Sequence, residues 1–234
     1  MLGRRERVRA ATMLEITQTA RRILVDQGPE AVTLRAIARE MGMTAPALYR
    51  YFGSHQDLLR HLIGELFNEL TDALHEEIHK ASDMTGKFLA VSFGFRTWAL
   101  THKREYTLLF GSPFASLEEI SQEDFAEECA RQLGLTFLNL FTELWTKHPF
   151  PIPADAEIDP RLVDQLERYR DGAESTLPLG CLLVFLQSWV RLQGAVSLEV
   201  FGHLDFALDD PLPMFELMIT RSADGSGCSD ALVC

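Results

Sequence analysis

Cysteine is scarce in this chain of 234 residues, which holds four cysteines at widely separated positions and no C-x-x-C pair. This usage predicts reduced thiols rather than a disulfide framework. Long apolar runs are missing too, because the best candidate, Leu177–Val184, is interrupted by Pro178 and Gly180. No stretch is therefore expected to reach the ~18 residues that span a bilayer. The arginine-rich start also lacks the apolar segment of a secretory signal, so a cytoplasmic protein with no membrane partner is favoured.

Motifs that carry catalysis are almost missing, since no glycine-rich phosphate loop, nucleophile elbow or pair of catalytic carboxylates can be argued. The exception is His75-Glu76-Glu77-Ile78-His79, which fits the H-E-x-x-H pattern of two zinc-binding histidines on one helix face. Glu77 argues against a zinc site, because it places a charge at an inner position of the motif that is usually apolar in such sites. We expect no enzyme, no catalytic residue, no metal and no cofactor, and keep a zinc-dependent hydrolase as an alternative.

The charge of the chain is divided unevenly. The net charge of −12 argues at first against a nucleic-acid partner, because phosphate binding needs a basic surface. Residues 1–60, however, contain ten arginines against six acids, a net charge of +4, which leaves −16 for the rest. This asymmetry predicts that only the first sixty residues face a polyanion.

The first sixty residues also have the pattern of a helix-turn-helix. One helix runs from about Thr12 to a stop at Gly28, and a second is capped by Thr33 and ended by Gly42. A third begins at once with Thr44 as its cap. Two short helices joined by a tight turn and supported by a third are typical of DNA-binding proteins whose second helix of the pair enters the major groove.

The side chains that this arrangement exposes suit DNA. Hydroxyls, phenols and cations bind phosphate oxygens and base edges, and the small residues 45–47 let the third helix approach the bases and contact thymine methyl groups. The predicted DNA-binding residues are Thr33, Arg35, Thr44, Ala45, Pro46, Ala47, Tyr49, Arg50, Tyr51 and His55.

The segment TLRAIAREMGMTAPALYRYFGSHQDLL, Thr33–Leu59, resembles the N-terminal domain of the TetR/AcrR-type transcriptional regulators. The resemblance implies that Arg35 reads a base, guanine by preference, and that residues 45–47 face base edges. It implies phosphate contacts at Thr33, Thr44, Tyr49 and Tyr51. Many members have lysine where His55 stands, which implies a weaker or pH-dependent phosphate contact at that position.

The start of the chain is predicted to be a flexible basic arm. Its four arginines, Arg4, Arg5, Arg7 and Arg9, are suited to the minor groove or the DNA backbone. A solvated arm that makes no fixed contact is the alternative.

The remainder is predicted to be helical, with no segment that alternates at period two over enough length to indicate a strand. A long fourth helix from Ser54 to Lys80 forms the mechanical link. Further helices are expected at Lys87–His102, Lys103–Gly111, Leu117–Lys147, Pro160–Tyr169, Pro178–Leu204 and Leu212–Arg221. We predict an all-α fold with a three-helix helix-turn-helix DNA-binding domain at 1–55, a larger helical effector-binding and dimerisation domain at 56–222, and a disordered tail at 223–234.

The second domain carries a further resemblance. RTWALTHKREYTLLFGSP and SWVRLQGAVSLEVFGHL resemble the WHG-type C-terminal domain of a subgroup of these regulators, named for Trp followed by His-Gly. Trp189, Gly194, Leu198 and Glu199 match that pattern. Gln193 replaces the expected histidine, so any role of that histidine does not carry over.

Two helices, at about 178–204 and 212–221, are predicted to form a homodimer interface. The first is apolar around almost its whole circumference, which demands burial on two sides. A two-fold dimer would bind a pseudo-palindromic operator. A core helix of a monomer is the alternative.

The second domain is also expected to bind a small-molecule effector of unspecified chemistry in an aromatic-rich interior. The predicted pocket residues are Trp98, Tyr106, Phe110, Phe137, Phe141 and Trp189. An effector that fits better when the recognition helices are wrongly spaced would lower operator affinity through the fourth helix. The sequence thus predicts a ligand-responsive repressor that binds a double-stranded DNA operator, with an adaptor that has lost DNA affinity as another alternative.

Overall fold

The computed structural model describes residues 3–111 and 125–223, and the side chains of residues 221–223 are left out of the description. Within these ranges the chain forms ten α-helices and short 3-10 turns, and it contains no strand. The prediction of an all-α fold is confirmed. The helices are α1 Arg4–Gln27, α2 Leu34–Glu40, α3 Ala45–Leu48, α4 His55–Lys80, α5 Met84–Thr101, α6 Lys103–Phe110, α7 Phe125–Lys147, α8 Pro160–Gly172, α9 Leu179–Val200 and α10 Leu212–Ala223.

The chain divides into two compact units. Unit 1 comprises Met1–Leu70 and Thr101–Leu133, and unit 2 comprises Thr71–Leu100 and Gly134–Cys234. The division therefore falls inside α4 and α7 and at the end of α5, and it differs from the predicted boundary after residue 55. A single continuous α4, the helix predicted to link the two domains, contributes residues to both units.

Capping residues define the helix-turn-helix of unit 1. Thr33 Oγ1 accepts a hydrogen bond from the amide of Ala36 at 3.1 Å, which starts α2. Gly42 ends it with φ +65°, and the amide of Met43 donates to the carbonyl of Ala38 at 2.8 Å. This backbone pattern with a left-handed glycine stops a helix and turns the chain sharply. It brings Thr44 to the start of α3, where its side chain makes no capping bond.

The prediction of a flexible arm is wrong, because α1 begins at Arg4. The amide of Gly3 donates to the carboxylate of Glu6 at 2.7 Å, which satisfies a backbone donor at the start of α1. The apolar spacing that begins near Thr12 marks only the part of α1 that is buried. The first two turns of α1 are exposed and arginine-rich, so they lack the apolar spacing from which a helix is predicted.

Unit 2 has an aromatic core. The ring of Trp189 on α9 lies 5.6 Å from that of Phe95 on α5 and 5.1 Å from that of Phe137 on α7. Phe141 on α7 makes an edge contact with Phe185 on α9 at 5.6 Å. Because aromatic pairs stabilise beyond their buried area, these contacts hold α5, α7 and α9 together.

An ion pair joins three helices in the same unit. Arg96 on α5 donates through Nε to Glu199 on α9 at 2.7 Å and through Nη2 to its other carboxylate oxygen. The Arg96 guanidinium also lies 5.4 Å from the ring centre of Phe215 on α10. A two-bond fork between charged groups is the strong form of such pairs, so it fixes α9 and α10 on α5.

The predicted helix that ends at Leu204 is too long, because α9 ends at Val200. Gly202 has φ +69°, and the amide of His203 donates to the carbonyl of Leu198 at 2.8 Å, the same ending as in α2. The predicted segment Leu117–Lys147 corresponds to α7, and its first eight residues lie outside the described part of the chain, as do residues 224–234 of the predicted tail.

α9 also corrects the expectation about apolar runs. By length and composition it could cross a membrane, with a mean hydropathy of 1.4 over an 18-residue window, 44% of which is buried. The aromatic contacts and the Glu199 ion pair described above account for its buried part as a core helix of unit 2.

The left-handed turn at Gly42 can be tested with two alanine variants. Gly42→Ala should lower the free energy of unfolding by about 1–2 kcal/mol, because a Cβ disfavours positive φ. Gly134→Ala is the control, since a Cβ there also meets no atom within 4 Å but lies in the interior of α7. Gly134→Ala should be neutral or stabilising by up to about 1 kcal/mol. Equal effects in urea unfolding would contradict this account of the turn.

Candidate nucleic-acid interface

Unit 1 places most of the predicted DNA-binding side chains in solvent. Six are exposed, and the other four, Ala45, Ala47, Tyr51 and His55, are half-buried. The exposed six are Thr33, Arg35, Thr44, Pro46, Tyr49 and Arg50. The backs of the same helices are buried, with Ile37 of α2 and Leu48 of α3 fully inaccessible. Burial of one face thus forces the other face of α2 and α3 outwards.

α3 has the composition of a helix that approaches another backbone closely. Its exposed residue is Pro46, flanked by half-buried Ala45 and Ala47, so none of its outer side chains is large. Proline is tolerated there because its missing amide hydrogen lies in the first turn, where the amide has no partner within the helix. The bulky exposed Tyr49 follows directly after the helix.

The start of α1 lies beside the end of α3. Arg9 Nη1 donates to the carbonyl oxygen of Arg50 at 3.2 Å, and its guanidinium lies 5.3 Å from the ring centre of Tyr51. The basic first turns of α1 therefore adjoin two residues that are predicted to touch DNA. This contact joins residues 41 positions apart, so no local sequence pattern indicates it.

His55 is engaged within unit 1. Its Nε2 lies 2.5 Å from the carbonyl oxygen of Val32, which precedes α2. A carbonyl oxygen only accepts, so Nε2 carries the proton. The imidazole therefore ties the start of α4 to the segment before α2, and only Nδ1 could meet a phosphate.

The predicted pocket residues are not brought together within one unit. Tyr106 and Phe110 on α6 belong to unit 1, where their rings are 4.8 Å apart. The other four belong to unit 2, namely Trp98, Phe137, Phe141 and Trp189. The pattern of aromatic residues did not indicate this division, because aromatic content does not reveal which unit a helix joins.

The H-E-x-x-H motif gains no support. His75 Nε2 lies 3.0 Å from Thr136 Oγ1 on α7, and His79 Nδ1 lies 2.6 Å from the carbonyl oxygen of His75. Across residues 3–111 and 125–223, no group of three or more His, Cys, Asp or Glu side chains could hold a metal ion. His75 thus serves as a polar contact between α4 and α7.

Two thiols are buried and unreactive. Cys129 and Cys181 are free cysteines in the interior. Burial raises the pKa of Cys129 and raises the pKa of Cys181 to about 12. Both are therefore neutral thiols at physiological pH, which makes them poor nucleophiles. Cys228 and Cys234 lie outside the described residues.

The described residues form a helical protein whose unit 1 contains a helix-turn-helix. Comparison with known proteins gives its family. Residues 16–62 match the model of bacterial regulatory proteins of the tetR family, and residues 88–222 match that of the tetracyclin repressor-like C-terminal domain. Because the second match alone covers more than half of the chain, the chain belongs to the TetR family, and it is a DNA-binding transcription regulator.

Individual relatives agree with this assignment. The HTH-type transcriptional regulator Rv1816 of Mycobacterium tuberculosis is 28% identical over 226 residues, which cover 92% of each chain. The HTH-type transcriptional repressor KstR2 of Mycolicibacterium smegmatis is 28% identical over 133 residues, which cover 55% of this chain and 62% of the relative.

Solved structures share the fold. The crystal structure of the regulatory protein SCO4313 has a TM-score of 0.72 and 28% identity, and the match covers 95% of this chain and all of that one. FadR of Bacillus subtilis, solved in complex with stearoyl-CoA, has a TM-score of 0.57 and 15% identity, with 91% and 98% covered. At that identity the likeness to FadR shows the fold alone.

Thr33 is expected to serve α2 and DNA at once, and two variants separate these roles. Thr33→Asp should leave the free energy of unfolding within about 0.5 kcal/mol of the parent, because Asp is an equally good N-cap. It should lower affinity for a mixed-sequence duplex at low salt about tenfold, because a carboxylate repels phosphates.

Thr176→Asp, an exposed position in unit 2 with the same charge change, is the control and should bind as the parent does. Fluorescence anisotropy with a labelled duplex measures both. Equal affinity of the two variants would show that residue 33 does not face DNA.

Proposed function

We propose that this regulator is a cytoplasmic repressor that binds a pseudo-palindromic operator as a homodimer and leaves it when a small-molecule effector binds unit 2. The observation that carries the proposal is the outer face of α2 and α3. An exposed arginine, hydroxyls and a phenol lie on or next to these helices, the second of which has small residues, on a segment with a net charge of +4. Such a face suits a polyanion read through its major groove.

The contacts with DNA divide into two kinds. Arg35 is proposed to read guanine, because its guanidinium can donate two hydrogen bonds to one base edge. The small residues 45–47 would let α3 lie against the bases. Thr33, Thr44, Tyr49, Arg50 and Tyr51 are proposed to bind phosphates, which position a protein without reading sequence. His55 is proposed to add a phosphate contact through Nδ1 only.

The first turns of α1 would extend the phosphate contacts. Arg9 already lies against Tyr51, and Arg5 stands four residues before it, one turn along the same helix face. Arg4 and Arg7 are exposed on neighbouring positions. A helical start holds these cations in place, so binding loses less conformational entropy than a flexible arm would.

The dimer is proposed to form through one face of α9 together with α10. Val190 and Leu198 are exposed four residues on either side of Gly194, and a Cβ at Gly194 would meet no atom within 4 Å. Met214 and Leu217 are exposed on α10, while Phe215 between them is buried. Helices that bury one side and expose apolar residues on the other are suited to pack against the same surface of a second copy.

The effector is proposed to enter unit 2, whose core contains aromatic rings of α5, α7 and α9. Polar groups of the same unit are the exposed His75, which contacts Thr136, and the buried Thr71, whose hydroxyl has no hydrogen-bond partner in the described chain. An apolar interior with a few polar groups is typical of small-molecule sites. The effector would act by favouring a conformation with poor spacing of the recognition helices.

Selection of duplexes from a random pool tests operator recognition. The purified protein at near-physiological salt should enrich an inverted repeat, because non-specific phosphate contacts are weakened there. Arg35→Gln should lower affinity for that repeat by about 10- to 100-fold and relax selection at one base pair of each half-site. Arg39→Gln, which removes an exposed charge one turn later on α2, is the control and should keep the base preference. Enrichment of no motif would contradict the proposal.

Substitution of exposed valine tests the dimer face. Val190→Glu should weaken the dimer by at least about 100-fold, because two carboxylates would be buried against each other without partners. Leu162→Glu on α8 is the control, since Val190 is 67% and Leu162 39% exposed and both changes introduce the same charge. Sedimentation velocity across a concentration series measures the effect. A Val190→Glu variant that stays as dimeric as Leu162→Glu would place the interface elsewhere.

A further inference from the structure

An arginine in the last two turns of α1 makes three charged hydrogen bonds within unit 1. Arg21 donates through Nη1 and Nη2 to the two carboxylate oxygens of Glu69 on α4, at 2.5 and 2.9 Å. It donates through Nε to Oε1 of Glu105 on α6 at 3.1 Å. All three guanidinium nitrogens are therefore used, and α1 is joined to α4 and α6 by one side chain.

Glu105 is buried, so it needs the ion pair with Arg21. The residue is 5% exposed, and a carboxylate at that depth needs a charged or hydrogen-bonding partner. Arg21 supplies one in a geometry that a point charge such as lysine could not reproduce, because the guanidinium is a planar fork. The position of α6 is thus tied to the position of Arg21.

α6 approaches α1 at a second place. Arg104 Nη1 lies 3.3 Å from the point that a Cβ on Gly28 would occupy, at the end of α1. Gly28 has φ +89°, which favours glycine, and a Cβ there would make the flexible end of the Arg104 side chain shift by a few tenths of an ångström. The Arg21–Glu105 pair and the approach of Arg104 to Gly28 place α6 beside the last two turns of α1.

α6 follows almost directly after α5, most of which belongs to unit 2. α5 belongs to unit 2 up to Leu100 and ends at Thr101, and α6 begins at Lys103, so only His102 separates the two helices. His102 Nε2 itself lies 3.8 Å from Glu69 Oε1. A shift at the end of α5 would therefore reach Glu105 and Arg21 within four residues of chain.

We propose that Arg21 is a positioning residue for operator recognition. By pairing with Glu105 it fixes the helix-turn-helix on α6, so that the placement of the recognition helix follows α6 although Arg21 does not touch DNA. This inference rests on the proposed function, since it names the connection through which unit 2 would regulate that same DNA site.

The test compares Arg21 with the adjacent arginine. Arg22 lies on the same helix and pairs with Glu40 of α2 at 2.7 Å, inside the helix-turn-helix itself. Arg22→Gln therefore makes the same charge change without touching α6. The test variants are Arg21→Gln and Arg21→Gln/Glu105→Gln, the second of which removes the buried charge together with its partner.

The readout is the ratio of affinity for the selected inverted repeat to affinity for an unrelated duplex, measured by anisotropy in folded protein. Both Arg21 variants should lower this ratio about tenfold, within the usual range of energetic coupling between sites. Arg22→Gln should leave it within about twofold, because loss of one charge weakens binding to every duplex alike. A purely stabilising role for Arg21 would change the melting temperature and leave the ratio unaltered.

Three results would overturn the inference. A folded double variant whose ratio equals that of Arg22→Gln would show that Arg21 does not position the recognition helix. A double variant that is unfolded at the assay temperature would assign Arg21 to folding instead. A parent protein that prefers no duplex at all would overturn the proposed function itself, whereas the first two results would leave it standing.

Discussion

The packing of α1, α2 and α3 around a few fully buried aliphatic side chains is the constraint on which the DNA-facing surface depends. Ile16, Ile37 and Leu48, one from each helix, are all 0% exposed. Because these side chains occupy the inner faces, the polar residues on the opposite faces must lie in solvent. Gly42 sets the angle between α2 and α3 through its left-handed backbone, and a residue with a Cβ would resist that conformation. The outward direction of Arg35 follows from both.

The distribution of charge determines which kind of partner this surface attracts. The first sixty residues are basic in a chain with a net charge of −12, so attraction to a polyanion is local and the remainder repels it. Carboxylates engage some of the arginines, as Glu69 and Glu105 engage Arg21 and Glu40 engages Arg22. These arginines are therefore already paired within unit 1. Arg35 and Arg50, by contrast, are exposed, as is Pro46 of α3.

Local rules predicted the local features well. Thr33 caps α2 as its sequence pattern indicates, and Thr44 precedes α3 as predicted although its side chain makes no capping bond. The predicted DNA-binding residues stay predictions, although the fold exposes most of them. Long-range contacts could not be predicted, because no local pattern indicates an ion pair between distant residues. Arg21 and Glu105 are 84 residues apart, and Arg96 and Glu199 are 103 residues apart. The start of α1 was missed because exposed helical turns carry no apolar period.

The proposed dimer would present two recognition helices to one duplex. Hydroxyl-radical footprinting on a duplex that the protein selects tests this arrangement. We expect protection that is two-fold symmetric between the strands, in patches separated by about one helical turn or a multiple of it. Protection of a single asymmetric patch would contradict the two-fold arrangement, and protection spread evenly along the duplex would contradict sequence-specific recognition.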